Sequence, residues 1–263
     1  MYLPGIIKKK FLIKKKILLK KVDNGSHMSK YKNKIAVTGK TSRFGKVLKR
    51  YFYGEEIFYL DKKTFDILNF KKIDSYLKKN RIKILIHLAG LSRPMSIHEK
   101  NINKSIELNI IGTSNVVRAC QKNNVKLIFF STNLVYPGNK NLSKETDSLL
   151  PFNNYGWSKL GAEAAVHMYK NSLILRLCIT EKPFIHKHAF TNVFTNFMFH
   201  EEFAKNFKKL LLKKGIINVG GKKSSVFNFA NKSNSKIYKK RLNSKFLNQS
   251  MSVMKYNKII NNE

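Results

Sequence analysis

Residues 34–45 read Lys-Ile-Ala-Val-Thr-Gly-Lys-Thr-Ser-Arg-Phe-Gly, an apolar run followed by a glycine-bounded turn. The run at 34–38 predicts a short buried strand. Residues 39–45 predict a tight turn that opens an amphipathic helix, with Val47 and Leu48 on its inner face. A strand, a glycine turn and a helix in this order are typical of the first unit of an α/β fold.

The same alternation of strand and helix continues along the chain. Strands that alternate with helices of this length imply right-handed crossovers and a parallel sheet covered on both faces. We therefore predict a Rossmann-like, doubly wound α/β domain. The further predicted strands are 57–60, 82–88, 125–131 and 173–177, and the predicted helices lie at 70–77, at 97–123 and around Tyr155.

Composition separates the function classes. The chain has 263 residues, a formal net charge of +37 and 43% hydrophobic residues, which predicts a globular protein. Lysine supplies most of the charge along the whole chain and arginine is scarce, so we expect no specific nucleic-acid binding. The chain has no apolar stretch of about 18 residues, so we expect no membrane span. Cys120 and Cys178 indicate reduced core thiols in a cytoplasmic protein.

The chain divides into three predicted parts. Residues 1–28 alternate lysine triplets with small apolar clusters and are expected to be a disordered or tag-derived basic extension, or a segment that touches an anionic membrane surface. Residues 29–180 are expected to form the dinucleotide-binding domain. Residues 181–263 are expected to form a small C-terminal substrate lobe, beginning with a long amphipathic helix at 189–212.

The first turn has glycines where a phosphate-binding turn needs them. Gly39 and Gly45 occupy the outer positions of a Gly-x-x-Gly-x-x-Gly pattern, and Ser42 replaces the middle glycine. In a dinucleotide fold these glycines allow a tight turn and close packing, while the helix N-terminus faces the pyrophosphate. An ordinary strand-to-helix turn is the alternative interpretation.

The second strand ends at Asp61, where the adenine ribose lies in such folds. A carboxylate there hydrogen-bonds the ribose hydroxyls and repels a 2′-phosphate, which favours NAD. The neighbouring cations Lys62, Lys63 and Arg43 favour NADP. The sequence therefore leaves both dinucleotides open, and Asp61 as an ordinary surface acid is the third possibility.

The third strand ends in His87-Leu88-Ala89-Gly90. The small residues Ala89 and Gly90 predict a backbone that passes against a flat cofactor, and Ser92 and Arg93 lie in the loop that follows. We expect His87 to be a packed core histidine, because it lies on a strand.

Tyr155 and Lys159 stand four residues apart and share one face of the predicted helix. An ammonium beside a phenol lowers the pKa of the phenol from about 10 and makes it a better proton donor. In a lysine-rich chain this spacing also arises by chance. The hydroxyl residues Ser131 and Thr132 strengthen the catalytic interpretation of this pair, because they lie at the end of the fourth strand, where such sheets bind ligands.

Together these motifs resemble an extended short-chain dehydrogenase/reductase. Within that group the sequence is most similar to the dTDP-4-dehydrorhamnose reductase type, close to the sugar-nucleotide epimerases and dehydratases. The resemblance rests on residues 37–45, 58–61, 65–68, 84–90, 109–113, 130–138, 145–147, 151–159 and 174–177 and on Glu163.

The resemblance implies a site that reduces a nucleotide-linked 4-keto sugar with NADH or NADPH, without a metal. The sequence leaves a homodimer open. Thr132 would hold the carbonyl oxygen, Tyr155 would protonate it, and Lys159 would bind the nicotinamide ribose. The cofactor-facing set would be Gly39, Thr41, Ser42, Arg43, Phe44, Gly45, Asp61, Asp66, Ala89, Gly90, Ser131, Tyr155 and Lys159, and the substrate-facing set Ser92, Arg93 and Asn133.

Departures from the family pattern keep other functions open. Asn133 stands where many such reductases have an aspartate, which disfavours a dehydratase. An epimerase that retains its NAD, and a non-catalytic dinucleotide-binding regulator, are the alternatives. The resemblance also implies that residues 215–221 form a strand and turn of the substrate lobe.

Overall fold

The run at residues 34–38 forms β1 (Ile35–Thr38), an inner strand of a six-stranded sheet. The computed structural model describes residues 34–54 and 56–261, and the predicted extension at 1–28 lies outside them. The other strands of the sheet are β2 (Ile57–Tyr59), β3 (Ile84–His87), β4 (Lys126–Thr132), β5 (Ser172–Leu177) and β10 (Gly215–Val219). Their order is β10-β5-β4-β3-β1-β2, and every neighbouring pair is parallel. The predicted doubly wound parallel sheet is confirmed.

Side chains that alternate along the strands build a core on each face of the sheet. Ile35 and Val37 of β1 pack with one helical layer, while Ala36 packs with the other. The layers consist of helices α1 (Arg43–Tyr51), α2 (Phe70–Lys79), α5 (Gly112–Lys122), α6 (Asn154–His167), α7 (His200–Asn206) and α9 (Met254–Asn261).

The predicted helix at 97–123 is broken into shorter pieces. It consists of α3 (Ile97–Lys100), α4 (Ile102–Ser105), a π-helix (Ile106–Ile111) and then α5. The side chain of Asn101 accepts a hydrogen bond from the Lys104 backbone N–H at 3.0 Å and starts a new helix there. The π-helix turns Asn109 towards the interior, where it is 1% exposed.

The predicted helix at 189–212 is wrong for residues 189–199, while α7 and a 3₁₀ helix cover residues 200–210. Residues 189–199 lie in short strands and loops because asparagine side chains hold the backbone extended. Asn192 exchanges two hydrogen bonds with the backbone of Leu242, both 2.9 Å long, and Asn196 accepts one from the Met251 N–H at 2.6 Å. The elements from residue 179 onward are β6 (Ile179–Thr180), β7 (His188–Phe190), β8 (Phe194–Thr195), β9 (Met198–Phe199), α7, a 3₁₀ helix (Phe207–Leu210), β10, β11 (Ser224–Ser225), α8 (Val226–Asn231), β12 (Tyr238–Lys240) and α9.

β10 also corrects the prediction that residues 215–221 belong to the substrate lobe, because this strand pairs with β5 in the main sheet. A small separate core lies around β7, α8 and β12. Cys120 and Cys178 are buried and unpaired, as predicted. Among the described residues, no helix has the length and apolar character needed to cross a membrane.

Candidate active site

The carboxyl ends of β1, β3 and β4 open onto two neighbouring cavities. The first, about 420 Å³, is lined by Gly39, Ala89 and Gly90 and is called the glycine cavity below. The second, about 640 Å³, is lined by Thr132 and Tyr155 and is called the tyrosine cavity. Both are lined by Ser42, Arg43, Leu88, Ser92 and Arg93, so the two form one cleft.

The turn after β1 requires its two glycines. Gly39 has φ of +72°, and a Cβ there would lie 2.9 Å from the backbone nitrogen of Ala89. A Cβ on Gly45 would lie 2.4 Å from the carbonyl oxygen of Gly39. Both contacts involve backbone atoms that cannot move aside, so the predicted positions of Gly39 and Gly45 have a steric reason.

Ser42 fits its position without the freedom of a glycine. It is the N-cap of α1, with φ of −63°, and its Oγ accepts a hydrogen bond from the Gly45 N–H at 3.0 Å. The first N–H groups of a helix have no partner within the helix and favour an anion. Together with Thr41 and Arg43, this turn therefore lines the glycine cavity with hydrogen-bond donors.

Two carboxylates, Asp61 and Asp66, also line the glycine cavity. Asp61 pairs with Lys40 at 2.6 Å and accepts a hydrogen bond from the Thr64 N–H at 3.0 Å. These hydrogen bonds hold the pKa of Asp61 well below its usual range. Asp66 accepts a hydrogen bond from the Leu68 N–H at 3.1 Å. The structure thus brings Asp61 and Asp66 to the same cavity as the glycine turn.

Asn109 supports the site from beneath the loop after β3, a role that the sequence analysis missed. Its Oδ1 accepts a hydrogen bond from the Leu91 N–H at 2.7 Å, and its Nδ2 donates to Ser158 Oγ at 2.8 Å. A Cβ on Gly90 would lie 2.9 Å from Asn109 Oδ1. Asn109 therefore joins the loop after β3 to the helix that carries Tyr155. The only signal in the sequence was its place in a segment that resembles the family.

His87 is the packed core histidine that the sequence predicted. It is 1% exposed, and its Nδ1 and Nε2 lie 3.0 Å and 3.2 Å from the hydroxyls of Thr38 and Thr113. Burial lowers the pKa of His87 to about 3. The imidazole is therefore neutral and holds β3 against β1 and α5.

The start of α6 brings Tyr155 to the end of β4. Asn153 caps the helix by accepting a hydrogen bond from the Gly156 N–H at 2.7 Å. A Cβ on Gly156 would lie 2.3 Å from the carbonyl oxygen of Leu134, so the helix presses directly on the chain that follows Thr132. Tyr155 and Thr132 consequently line the same cavity.

The pKa of Tyr155 contradicts the prediction from its spacing to Lys159. Desolvation raises the pKa of Tyr155 to about 12, and a hydrogen bond from Thr132 and the charge of Arg93 oppose that rise. The predicted lowering by Lys159 is wrong, because the lysine is itself buried and its Nζ lies 4.1 Å from the Phe129 ring centroid. Burial lowers the pKa of Lys159 to about 7, and Glu163 opposes that shift.

The RmlD substrate binding domain family matches residues 33–202, well over half of the chain. The chain belongs to this family. The prediction that it resembles an extended short-chain dehydrogenase/reductase is thereby confirmed.

Solved structures of similar fold agree with the RmlD assignment. A dTDP-4-dehydrorhamnose reductase from Bacillus anthracis, in complex with NADP, superposes with a TM-score of 0.76 at 21% identity, over 86% of this chain and 91% of that one. The Bordetella bronchiseptica enzyme WbmG, in complex with NAD and UDP, has a TM-score of 0.73 at 18% identity, over 90% of each chain. At these identities the likeness concerns the fold.

Curated relatives of this RmlD domain match over short stretches. An uncharacterized UDP-glucose epimerase, YtcB, from Bacillus subtilis is 27% identical over 37% of this chain and 31% of its own length. An N-acetyl-alpha-D-glucosaminyl-diphospho-ditrans,octacis-undecaprenol 4-epimerase from Escherichia coli O157:H7 is 41% identical over 25% of this chain and 20% of its own. The chain thus spans less than a third of the length of these relatives.

In this RmlD domain, Ser131, Thr195 and His200 line the tyrosine cavity, and the structure gives no hydrogen-bond partner to their buried atoms Ser131 Oγ, Thr195 Oγ1 and His200 Nδ1. Ser131 was a predicted site residue. Thr195 and His200 were missed, because the predicted helix at 189–212 gave no reason to bring them to β4. Buried polar groups usually have partners, so these three side chains stand out among those that line the cavity.

The remaining predicted residues of the RmlD domain lie around the same cavity. Phe44, Ser92, Arg93 and Asn133 line it, and Arg43 forms an ion pair with Glu181, which follows β6. Asn133 Nδ2 donates a hydrogen bond to the Gln249 carbonyl at 3.1 Å. The amide therefore ties the end of β4 to the chain near the C-terminus.

Proposed function

We propose that this chain is an NAD(P)H-dependent reductase of a nucleotide-linked 4-keto sugar, as in cell-surface sugar biosynthesis. The observation that carries the proposal is the meeting of Thr132, Tyr155 and Lys159 on one cavity wall beside the glycine-lined cavity. Membership of the RmlD family supports it. So does the name of the Bacillus anthracis structure, a dTDP-4-dehydrorhamnose reductase in complex with NADP.

The glycine cavity suits a dinucleotide on steric and electrostatic grounds. Gly39 and Gly90 have positive φ, and side chains there would meet Ala89 and Asn109, so the floor of the cavity is bare backbone. The N-terminus of α1 would hold the pyrophosphate. Asp61 and Asp66 would hold the adenosine end, and Asp61 favours NAD. Lys40 at the same edge favours NADP, so both dinucleotides belong in the test.

The tyrosine cavity provides the proton chemistry. A bound reduced nicotinamide would supply the hydride. With a pKa of about 12, Tyr155 is protonated at neutral pH and can donate its proton to the carbonyl oxygen of the substrate. The Thr132 hydroxyl would donate a hydrogen bond to the same oxygen and stabilise the developing negative charge. Lys159 would bind the nicotinamide ribose.

An epimerase that retains its NAD is the second candidate, because both curated relatives are named epimerases. A dehydratase is disfavoured, since Asn133 is not an acid and its amide is engaged with the Gln249 carbonyl. A non-catalytic dinucleotide-binding regulator is disfavoured because Thr132, Tyr155 and Lys159 are all present at one cavity.

A panel of nucleotide keto sugars with NADH or NADPH tests the proposal. A reductase oxidises the nicotinamide in step with sugar reduction, and Tyr155→Phe abolishes that turnover. An epimerase interconverts nucleotide sugars with no net change in nicotinamide absorbance. Tight dinucleotide binding without turnover on any sugar would support the regulatory function and overturn the reductase.

We further propose that the chain forms a homodimer. Ile102, Ile106, Ile111 and Trp157 are 54%, 39%, 47% and 48% exposed and lie on three adjoining elements: α4, the π-helix and α6. An exposed apolar surface of this kind suits a second copy of the chain.

The unpaired thiols of Cys120 and Cys178 support a reducing compartment such as the cytoplasm.

A further inference from the structure

A buried ion pair lies one helical turn beyond Lys159. Glu163 of α6 and Arg176 of β5 are 3% and 2% exposed. Arg176 Nε donates to both carboxylate oxygens, at 3.2 Å and 3.1 Å, and Nη2 donates to Oε2 at 2.8 Å. Both oxygens of Glu163 are therefore engaged by one guanidinium in a forked arrangement.

Lys159 lies beside this pair without joining it. Lys159 and Glu163 are four residues apart on α6, a spacing at which a lysine and a glutamate can reach each other. Among the residues that the structure describes, Lys159 has no carboxylate partner in an ion pair. Its Nζ lies over the Phe129 ring instead.

The charged and titratable groups around Lys159 come from four elements. Tyr155 lies one turn before it on α6. Desolvation lowers the pKa of His87 of β3 and of His98 of α3, and the charge of Lys159 lowers both further. Both imidazoles are therefore neutral at pH 7. Glu163 is the acid that acts on Lys159, so its pairing with Arg176 decides how the ammonium is held.

We propose that Arg176 and Glu163 are positioning residues for the proposed reductase site: the guanidinium occupies the carboxylate, so the Lys159 ammonium stays free to turn towards a ligand in the cleft. If Glu163 were unoccupied, it would draw Lys159 into a buried ion pair one turn away from Tyr155. The inference rests on the proposed function for the use of that ammonium, while the charge arrangement itself is a property of the folded chain.

Arg176 is in turn fixed from its other side. Its Nη1 donates to the Tyr136 hydroxyl at 2.8 Å, and that hydroxyl donates to Asn218 Oδ1 at 2.9 Å. Asn218 lies on β10, and its backbone N–H donates to Glu145 Oε1 at 3.0 Å. The last strand of the sheet therefore orients the guanidinium that holds Glu163.

NMR of protein labelled with [ε-¹³C]lysine measures the effect directly. Lys159 is recognised as the resonance that titrates near neutral pH and is absent in Lys159→Arg. In Glu163→Gln, loss of a negative charge lowers the Lys159 pKa by about one pH unit. In Arg176→Gln, the freed carboxylate raises it by about one unit. In the double variant Glu163→Gln/Arg176→Gln it returns to the wild-type value, because both versions of the pair carry no net charge.

Lys126 provides an internal control. It is a buried lysine at the other end of β4, its Nζ donates to the Lys213 carbonyl at 2.7 Å, and burial lowers its pKa to about 8. The pKa of Lys126 does not change in any of the variants.

Dinucleotide affinity, measured by nicotinamide fluorescence, weakens about tenfold in Arg176→Gln and recovers in the double variant.

The Lys159 titration and the sugar-reduction assay test separate claims, so either can fail without the other. The inference is overturned if the Lys159 pKa in Glu163→Gln equals the wild-type value, as it is expected to do in the double variant. This holds whether or not any sugar is reduced. Correct shifts in a protein that turns over no sugar would leave the charge arrangement standing and overturn the reductase. Should Arg176→Gln not fold, Glu163→Gln alone decides, because glutamine still accepts from Arg176; an unmoved Lys159 pKa there counts against the inference.

Discussion

The Ser42 hydroxyl accepts a hydrogen bond from the Gly45 N–H at 3.0 Å and so caps the helix at the position where the phosphate-binding pattern has a glycine. Replacement by alanine removes the cap. We expect Ser42→Ala to lower the free energy of unfolding by about 1 kcal/mol and Ser42→Gly by a few tenths, measured by urea denaturation. Ser75→Ala, at an exposed position within α2, is the control and is expected to leave stability unchanged or to raise it by up to about 0.5 kcal/mol, because alanine has the higher helix propensity. Equal stability of Ser42→Ala and wild type would contradict the capping role.

Tyr155 is expected to be the proton donor. Tyr155→Phe should reduce kcat by a factor of about 10²–10⁴ while dinucleotide affinity stays within about twofold, because the phenyl ring keeps the shape of the side chain. Tyr169→Phe is the matched control: its hydroxyl donates to the Val125 carbonyl at 3.0 Å, away from the cavities. Comparable losses of kcat in both variants would argue against a chemical role for Tyr155.

Asp61 is expected to select against a 2′-phosphate. In Asp61→Asn the repulsion is removed, so the ratio of the NADH Kd to the NADPH Kd should rise by about tenfold in favour of NADPH. Asp74→Asn is the control, since Asp74 pairs with Lys122 at 2.6 Å on α2. A ratio that is the same in wild type and Asp61→Asn would remove Asp61 from the cofactor site.

His87 is expected to make the fold acid-sensitive. Its pKa is about 3 in the folded chain against 6.5 ordinarily, so below pH 6.5 the unfolded state takes up a proton that the folded state does not. This contribution is complete above pH 6.5 and is lost as the pH falls towards 3. Between pH 7 and pH 5 the wild type should therefore lose about 2 kcal/mol more than His87→Gln, measured by urea denaturation at each pH. Parallel losses in both proteins would show that His87 does not carry this dependence.

The surface of Ile106 and Trp157 is expected to be the contact between two copies of the chain. Ile106→Glu and Trp157→Glu each put a charge on that surface and should convert a dimer into a monomer at micromolar concentration, measured by light scattering after size exclusion. Leu212→Glu, at a residue that is 62% exposed elsewhere, should leave the dimer intact. A monomeric wild type refutes the dimer.

The first half of the fold followed from the sequence because its strands are short apolar runs that end in glycine or small polar residues. β1, β3 and β4 and the turn at Gly39 were predictable in this way. The stretch at 189–212 was not, since its apolar spacing resembles a helix while Asn192 and Asn196 bond to backbone more than twenty residues away. Contacts of that range leave no local signal.

The candidate site was predictable where a reactive residue type coincides with a strand end, as at Thr132, or with a lysine one helical turn away, as at Tyr155. The site was not predictable where burial sets the pKa of a side chain. The spacing of Tyr155 and Lys159 suggested a lowered phenol pKa, but desolvation of both side chains outweighs their mutual effect. Thr195 and His200 reach the cavity only through the tertiary path of the chain after β6.

β10, the edge strand of the main sheet, also limits how far the chain can be shortened from its C-terminus. The family match ends at residue 202, yet β10 lies beyond it and buries Ile217 and Val219 against the sheet. A fragment cut at 202 would leave the backbone groups of β5 unpaired along one edge and open an apolar strip to water, a surface on which chains aggregate. Expression trials that trim the protein to the part that matches the family should therefore yield inclusion bodies, and a truncation that keeps the protein folded has to extend through β10.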